Sequence, residues 1–97
     1  MTTITPQQLK DRMINKEDLH IIDVREPDEI ALGMIPGAIS IPLMEIPNRL
    51  KEIPQDKETI LVCRSGNRSG KAYEYLTAQG FMNLKNMSGG MLEWESL

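Results

Sequence analysis

A second cysteine is missing from these 97 residues, and with it any internal disulfide; Cys63 stands alone. Histidine is almost as scarce. With His20 as the only one, a tetrahedral zinc site would need an unusual set of carboxylates, so no metal and no cofactor are expected. No apolar run approaches the roughly 20 residues that cross a bilayer. The N-terminus also lacks a charged segment leading into a long apolar one. These absences predict a protein of the reducing cytoplasm, off the membrane. Basic charge is not in excess either: 14 acidic residues against 11 basic ones leave a net charge of -3, which opposes nucleic-acid binding. No repeat, linker or low-complexity stretch interrupts the chain, and its length and 40% hydrophobic content suit one domain over residues 1–97.

What is present alternates between two periodicities. Thr5-Pro6-Gln7-Gln8 reads as a capped helix start, with Leu9 and Met13 on the inner face. The run Leu19 to Val24 is nearly continuous in apolar residues, as in a strand buried on both faces of a parallel sheet. Glu26-Pro27-Asp28-Glu29 opens a short helix that ends near Gly33. Ile35-Pro36-Gly37-Ala38 is a turn, and Ile39-Ser40-Ile41 a short strand. A helix is expected from about Leu43 to Ile53, shortened or interrupted by Pro47. Thr59–Val62 is a second buried strand, Ser69 to Gln79 an amphipathic helix ended by Gly80, and Phe81 to Met87 a weaker strand. Ser88-Gly89-Gly90 turns the chain into a last helix, Met91 to Glu95. The seven methionines are spread along the chain and are read as core packing. This alternation predicts an α/β fold with a mainly parallel sheet, whose ligands bind beyond the carboxyl ends of the strands. Asp23 and Cys63 both fall at such ends.

The segment Cys63-Arg64-Ser65-Gly66-Asn67-Arg68-Ser69 carries the chemistry. A free thiol is mostly protonated at neutral pH, so a reactive one needs a base or a positive environment. His20, at the start or middle of a strand, is badly placed to be the base and is read as a packed or surface residue. The loop itself supplies the alternative. Gly66 lets successive amides turn inward, Asn67 tolerates unusual φ values, and Ser69 caps the following helix. Arg64, Arg68 and Lys71, with no acid among residues 63–71, make the segment locally positive in an acidic chain. A merely packed cysteine would not require that company.

Loop size separates two chemistries. Protein-tyrosine phosphatases and the related dual-specificity enzymes place five residues between cysteine and arginine, and those of the tyrosine type have histidine before the cysteine. Here four residues intervene before Arg68, and Val62 precedes Cys63. The tighter ring suits one extra sulfur on Cys63 better than a phosphoryl group. Four motifs in order then carry a resemblance that covers almost the whole chain. They are Asp23-Val24-Arg25-Glu26-Pro27-Asp28-Glu29, Gly33 to Pro42, Leu61 to Ser69, and Gly89-Gly90-Met91-Leu92-Glu93-Trp94. On these the chain resembles the single-domain rhodaneses, which are sulfurtransferases. One position departs: Met34 stands where the family commonly has histidine before Ile-Pro-Gly-Ala, a structural position in the family.

The resemblance implies a three-layer α/β domain with helices on both faces of the sheet. It also implies two-step chemistry in which Cys63 takes the outer sulfur of a donor such as thiosulfate, becomes a persulfide, and yields that sulfur to a nucleophile. Cyanide serves in assay, and cellular thiols or a sulfur-relay protein are the natural acceptors. Amides of residues 64–69 would stabilise the sulfur anions, and Arg64 would meet the donor's oxyanion. Arg68 either joins it or holds the loop shut through internal hydrogen bonds. Asp23 and Arg25 are assigned to a buried ion pair at the strand end, and Trp94 with Gly89-Gly90 to structure. Three other readings stand beside this one: a non-catalytic or partner-dependent module on the same fold, a small phosphatase, and an arsenate reductase. The intact thiol, the short ring and the missing second cysteine oppose them in turn.

Overall fold

A computed structural model describes residues 1–97. Its centre is a pair of strands too apolar to face water on either side, β2 (His20–Asp23) and β4 (Thr59–Val62), paired in parallel with Ile21 beside Ile60 and Asp23 beside Val62. Alternation along β4 sorts its side chains onto two faces. Ile60 and Val62 enter one core with Ile21, Leu9 and Met87, while Leu61 and Cys63 enter the other with Ile22, Ala72 and Leu76. Each fully buried Leu or Ile in these layers contributes about 1.5–3 kcal/mol.

Three further strands complete a five-stranded parallel sheet. β1 (Thr3–Ile4) and β3 (Ile39–Ser40) form its edges and β5 (Leu84–Met87) lies beside β4, giving the order β1-β5-β4-β2-β3. Helix α1 (Pro6–Ile14) begins with the anticipated capping box, the Thr5 hydroxyl accepting from the Gln8 amide and the Gln8 side chain accepting from the Thr5 amide. Leu9 of α1 and Met91 of α4 (Gly90–Trp94) cover one face. Ala72 and Leu76 of α3 (Asn67–Ala78) cover the other, with Ile46. The short α2 (Pro27–Ile30) follows β2. Helices therefore flank the sheet on both faces.

Several boundaries differ from those read in the sequence. The helix expected over Leu43–Ile53 is two 3₁₀ segments, Leu43–Asn48 and Leu50–Glu52, because Pro47 removes a donor in the first and only Ile46 and Ile53 find full burial there. Strand β1 has two residues and no readable periodicity; it exists because Thr3 and Ile4 pair with Asn86 and Met87. Helix α3 starts two residues early, at Asn67, since Gly66 takes the positive φ of +103°. Asn67 is consequently an ordinary first helical residue, and Ser69 lies inside the first turn rather than at the cap. The methionines divide: Met87 and Met91 are core, whereas Met44 and Met82 are exposed.

Candidate active site

Cys63 follows the last residue of β4, at the carboxyl edge of the sheet, with only 1% of its surface exposed. Two donors converge on its sulfur. The Gly66 amide lies 3.1 Å from Sγ and the buried Ser69 hydroxyl 3.2 Å. Burial pushes the thiol pKa up, but the Ser69 hydroxyl and the backbone amides of Ser69, Gly66 and Ser65 outweigh it, and the net shift is downward. No histidine takes part. His20 begins β2, opposite Thr59 at the start of β4, which is the far end of the sheet from Cys63.

The loop holds this shape because its outward-facing polar groups are occupied. The first turn of α4 has free amides, and two of them bind loop carbonyls: Met91 N–H donates to the Cys63 carbonyl at 2.9 Å and Leu92 N–H to that of Arg64 at 3.0 Å. Asn86 of β5, also buried, donates its side-chain amide to the Gly66 carbonyl at 3.1 Å. Gly90 makes the contact with α4 possible. Its φ is +58°, and a Cβ there would overlap the backbone of Arg64 and Ser65.

A second set of contacts ties the loop to α2. Arg68 donates to both oxygens of Glu29, at 2.5 and 2.7 Å, and Glu29 also accepts the Glu26 amide that opens α2. The sequence reading places Arg68 on the donor or within its own loop; its partner is instead a carboxylate 39 residues away. Behind α2, Asp23 is fully buried and receives the Arg25 amide and guanidinium at 2.8–3.1 Å, while Arg25 also donates to the Gly33 carbonyl at 2.8 Å. This is the ion pair assigned from sequence, and it closes the chain around α2. Arg64 and Ser65 are exposed, and Met34 is half-buried. Trp94 packs partly buried against the core on the α1 side.

Glu29 and Asn86 were therefore missed as supporting residues, and Gly90, read as structural, was not connected with the loop. Glu29 was legible as part of an acidic first turn and as the end of the motif Asp23 to Glu29, neither of which names its partner. Asn86 carried one signal, a polar residue inside a strand that is otherwise buried at Leu84 and Met87.

Fold and site together define a class: a parallel α/β protein whose one cysteine sits in an amide-lined loop at the strand ends. A family model described as the Rhodanese-like domain matches residues 5–97. The chain belongs to the rhodanese-like family. It is 43% identical over 91 residues to a protein of Allochromatium vinosum named as a sulfurtransferase, a match covering 94% of this chain and 85% of that one. A putative sulfurtransferase of Bacillus subtilis is 44% identical, with 95% and 88% covered. Among solved structures, a rhodanese-like domain protein from Staphylococcus aureus superposes with a TM-score of 0.92 at 38% identity, covering 97% of this chain and 91% of that one.

Two consequences of the geometry are measurable. Ser69→Ala removes a donor to the thiolate while leaving the burial that opposes it. Alkylation of Cys63 by iodoacetamide at neutral pH should then slow about tenfold, as for loss of a hydrogen bond to a charged group, and recover at higher pH. An unchanged pH–rate curve would mean that the hydroxyl does not stabilise the thiolate.

Glu29 concerns stability. The paired Arg68 guanidinium lowers its pKa from 4.5 to about 2. A depressed carboxylate contributes stability that is fully present above its unfolded pKa and is lost as pH falls through the folded one, here between about 4.5 and about 2. Glu29→Gln should lower the thermal midpoint at pH 7 by roughly 4–8 °C, the shift for about 1 kcal/mol in a chain of this size after solvent screening. The gap from wild type should close as pH approaches 2. Parallel melting curves across that range would contradict the assignment.

Proposed function

We propose that this protein is a sulfurtransferase of the thiosulfate type, working through a persulfide on Cys63 in a reducing compartment such as the cytoplasm. The observation that carries the reading is the convergence of the Gly66 amide and the Ser69 hydroxyl on a buried sulfur whose pKa is lowered. The Cys63 thiolate attacks the outer sulfur of a small anionic donor. A new sulfur–sulfur bond forms, the donor's own sulfur–sulfur bond breaks, and sulfite leaves with the electron pair when thiosulfate is the donor. The amides of the loop then face the persulfide sulfur, and a cyanide, a thiol or a relay protein carries it off.

In this reading the loop arginines divide their work. Arg64 is exposed and makes no ion pair within the chain, so it is free to meet the donor's oxyanion. Arg68, engaged by Glu29, is a positioning residue. The test is mass spectrometry of protein incubated with thiosulfate in the absence of reductant. The protein should gain the mass of one sulfur at Cys63 and lose it to cyanide. No added sulfur, together with hydrolysis of an aryl phosphate by the same protein, would replace this reading with a phosphatase.

A further inference from the structure

Asn86 is an unusual residue for its position. It lies on β5 between Leu61 of β4 and Thr3 of β1, with 6% of its surface exposed. Residues paired in register share a face of the sheet, so Asn86 stands on the side where Leu61 and Cys63 enter the core. A leucine would fill that place without burying a polar group. Asn86 instead leaves its side-chain oxygen buried with no donor, a cost that points to a use for the other half of the amide. The nitrogen donates to the Gly66 carbonyl at 3.1 Å and, at 3.3 Å, to the sulfur of Met1, a weak acceptor.

The Gly66 carbonyl does not need that bond for its own satisfaction. It already accepts the Gly70 amide at 3.1 Å, the first bond of α3. What Asn86 adds is direction, because it pins the planar peptide unit between Gly66 and Asn67 from outside the loop. Gly66 has φ +103° and ψ -10°, and Asn67 is already helical. A left-handed residue followed by a right-handed one is a backbone nest, whose successive N–H groups turn toward one point. The first of them, that of Gly66, lies 3.1 Å from the Cys63 sulfur. On the other side of Gly66 the Leu92 amide holds the Arg64 carbonyl. Gly66, the most pliable residue of the loop, is thus held from both flanks, and Asn86 is the side chain that holds it on the helix side.

We infer that Asn86 is a positioning residue for the nucleophile: by fixing the Gly66–Asn67 peptide it keeps the Gly66 amide aimed at Cys63 and favours the thiolate; this rests on the reading of Cys63 as the attacking group. Asn86 itself touches neither the sulfur nor a substrate.

The test is Asn86→Leu, which keeps the branch and approximate size of the side chain, removes the donor together with the orphaned oxygen, and leaves the Gly66 carbonyl bonded to Gly70. Thermal melting and the rate of Cys63 alkylation by iodoacetamide against pH are both recorded. The melting midpoint should stay within a few degrees of wild type. Alkylation at neutral pH should slow about fivefold, the scale of one hydrogen bond, and rejoin the wild-type rate at high pH as the midpoint of the curve moves up.

A folded variant with the wild-type curve means that Asn86 only packs, and overturns the inference. So does a rate lowered equally at every pH, which reports access to the sulfur rather than its ionisation. Asn86→Ala removes the same donor without crowding and decides the matter if the leucine variant does not fold; loss of folding in both overturns the inference in favour of a purely structural role. Sulfur loading is scored separately. If wild type takes no sulfur from thiosulfate, the persulfide reading falls, while a displaced alkylation curve still places Asn86 behind the thiolate. If wild type loads sulfur and the curves coincide, the inference alone falls.

Discussion

Cys63→Ser should fold as wild type and, if the proposed chemistry holds, take up no sulfur from thiosulfate. The substitution is close to isosteric at a residue with 1% exposure, and a serine hydroxyl can still accept from the Gly66 amide and the Ser69 hydroxyl. What it cannot do is ionise. The loop lowers the thiol pKa, but the same donors acting on an alcohol leave it protonated at any working pH, and no histidine base stands near. Transfer to cyanide should fall by at least about 10³-fold, more than about 4 kcal/mol of transition-state stabilisation. The melting temperature should stay within a few degrees of wild type, since little packing changes. The same added sulfur mass on the serine variant would mean that sulfur is carried elsewhere in the chain.

Gly90→Ala is the second severe change, and it acts without touching the sulfur. A Cβ at Gly90 would overlap backbone atoms of Arg64 and Ser65, and backbone on both sides leaves no flexible side chain to give way. The loop must therefore move away from α4, weakening the bonds from Met91 and Leu92 to the carbonyls of Cys63 and Arg64. Displacing a catalytic loop by about 1 Å costs on the order of 10²-fold in rate. The left-handed backbone at φ +58° adds about 1–2 kcal/mol of strain in stability. Gly80→Ala separates the two effects, because Gly80 also has a positive φ, +96°, but nothing lies within 4 Å of the added methyl. It should lose stability and keep its rate. Equal rates in the two variants would remove Gly90 from the account of the site.

What could be read without coordinates was local. The α1 capping box, the two buried strands and the sheltered thiol at the end of β4 all depend on residues within a few positions of one another. Side-chain period and turn chemistry express themselves over that range. The inward amides of the loop followed from Gly66 for the same reason, although the positive φ belongs to Gly66 alone and Asn67 is already helical. Ser69 was named for the wrong job: helix α3 begins two residues before it, which turns its hydroxyl from a cap into a donor to Cys63.

The rest depended on distance along the chain being cancelled by the fold. Strand β1 carries no pattern of its own and is made by β5. Glu29 reaches Arg68 across 39 positions, Asn86 holds the Gly66 carbonyl across 20, and Gly90 meets Arg64 only because β4 and β5 are neighbours in the sheet. Residue order alone placed the lone cysteine in an amide-lined loop on a parallel α/β sheet, because short-range geometry writes itself into adjacent residue types. Which groups hold that loop, and which charges beside it stay free, were settled by packing, because an ion pair or a close backbone approach leaves no mark until two distant segments are brought together.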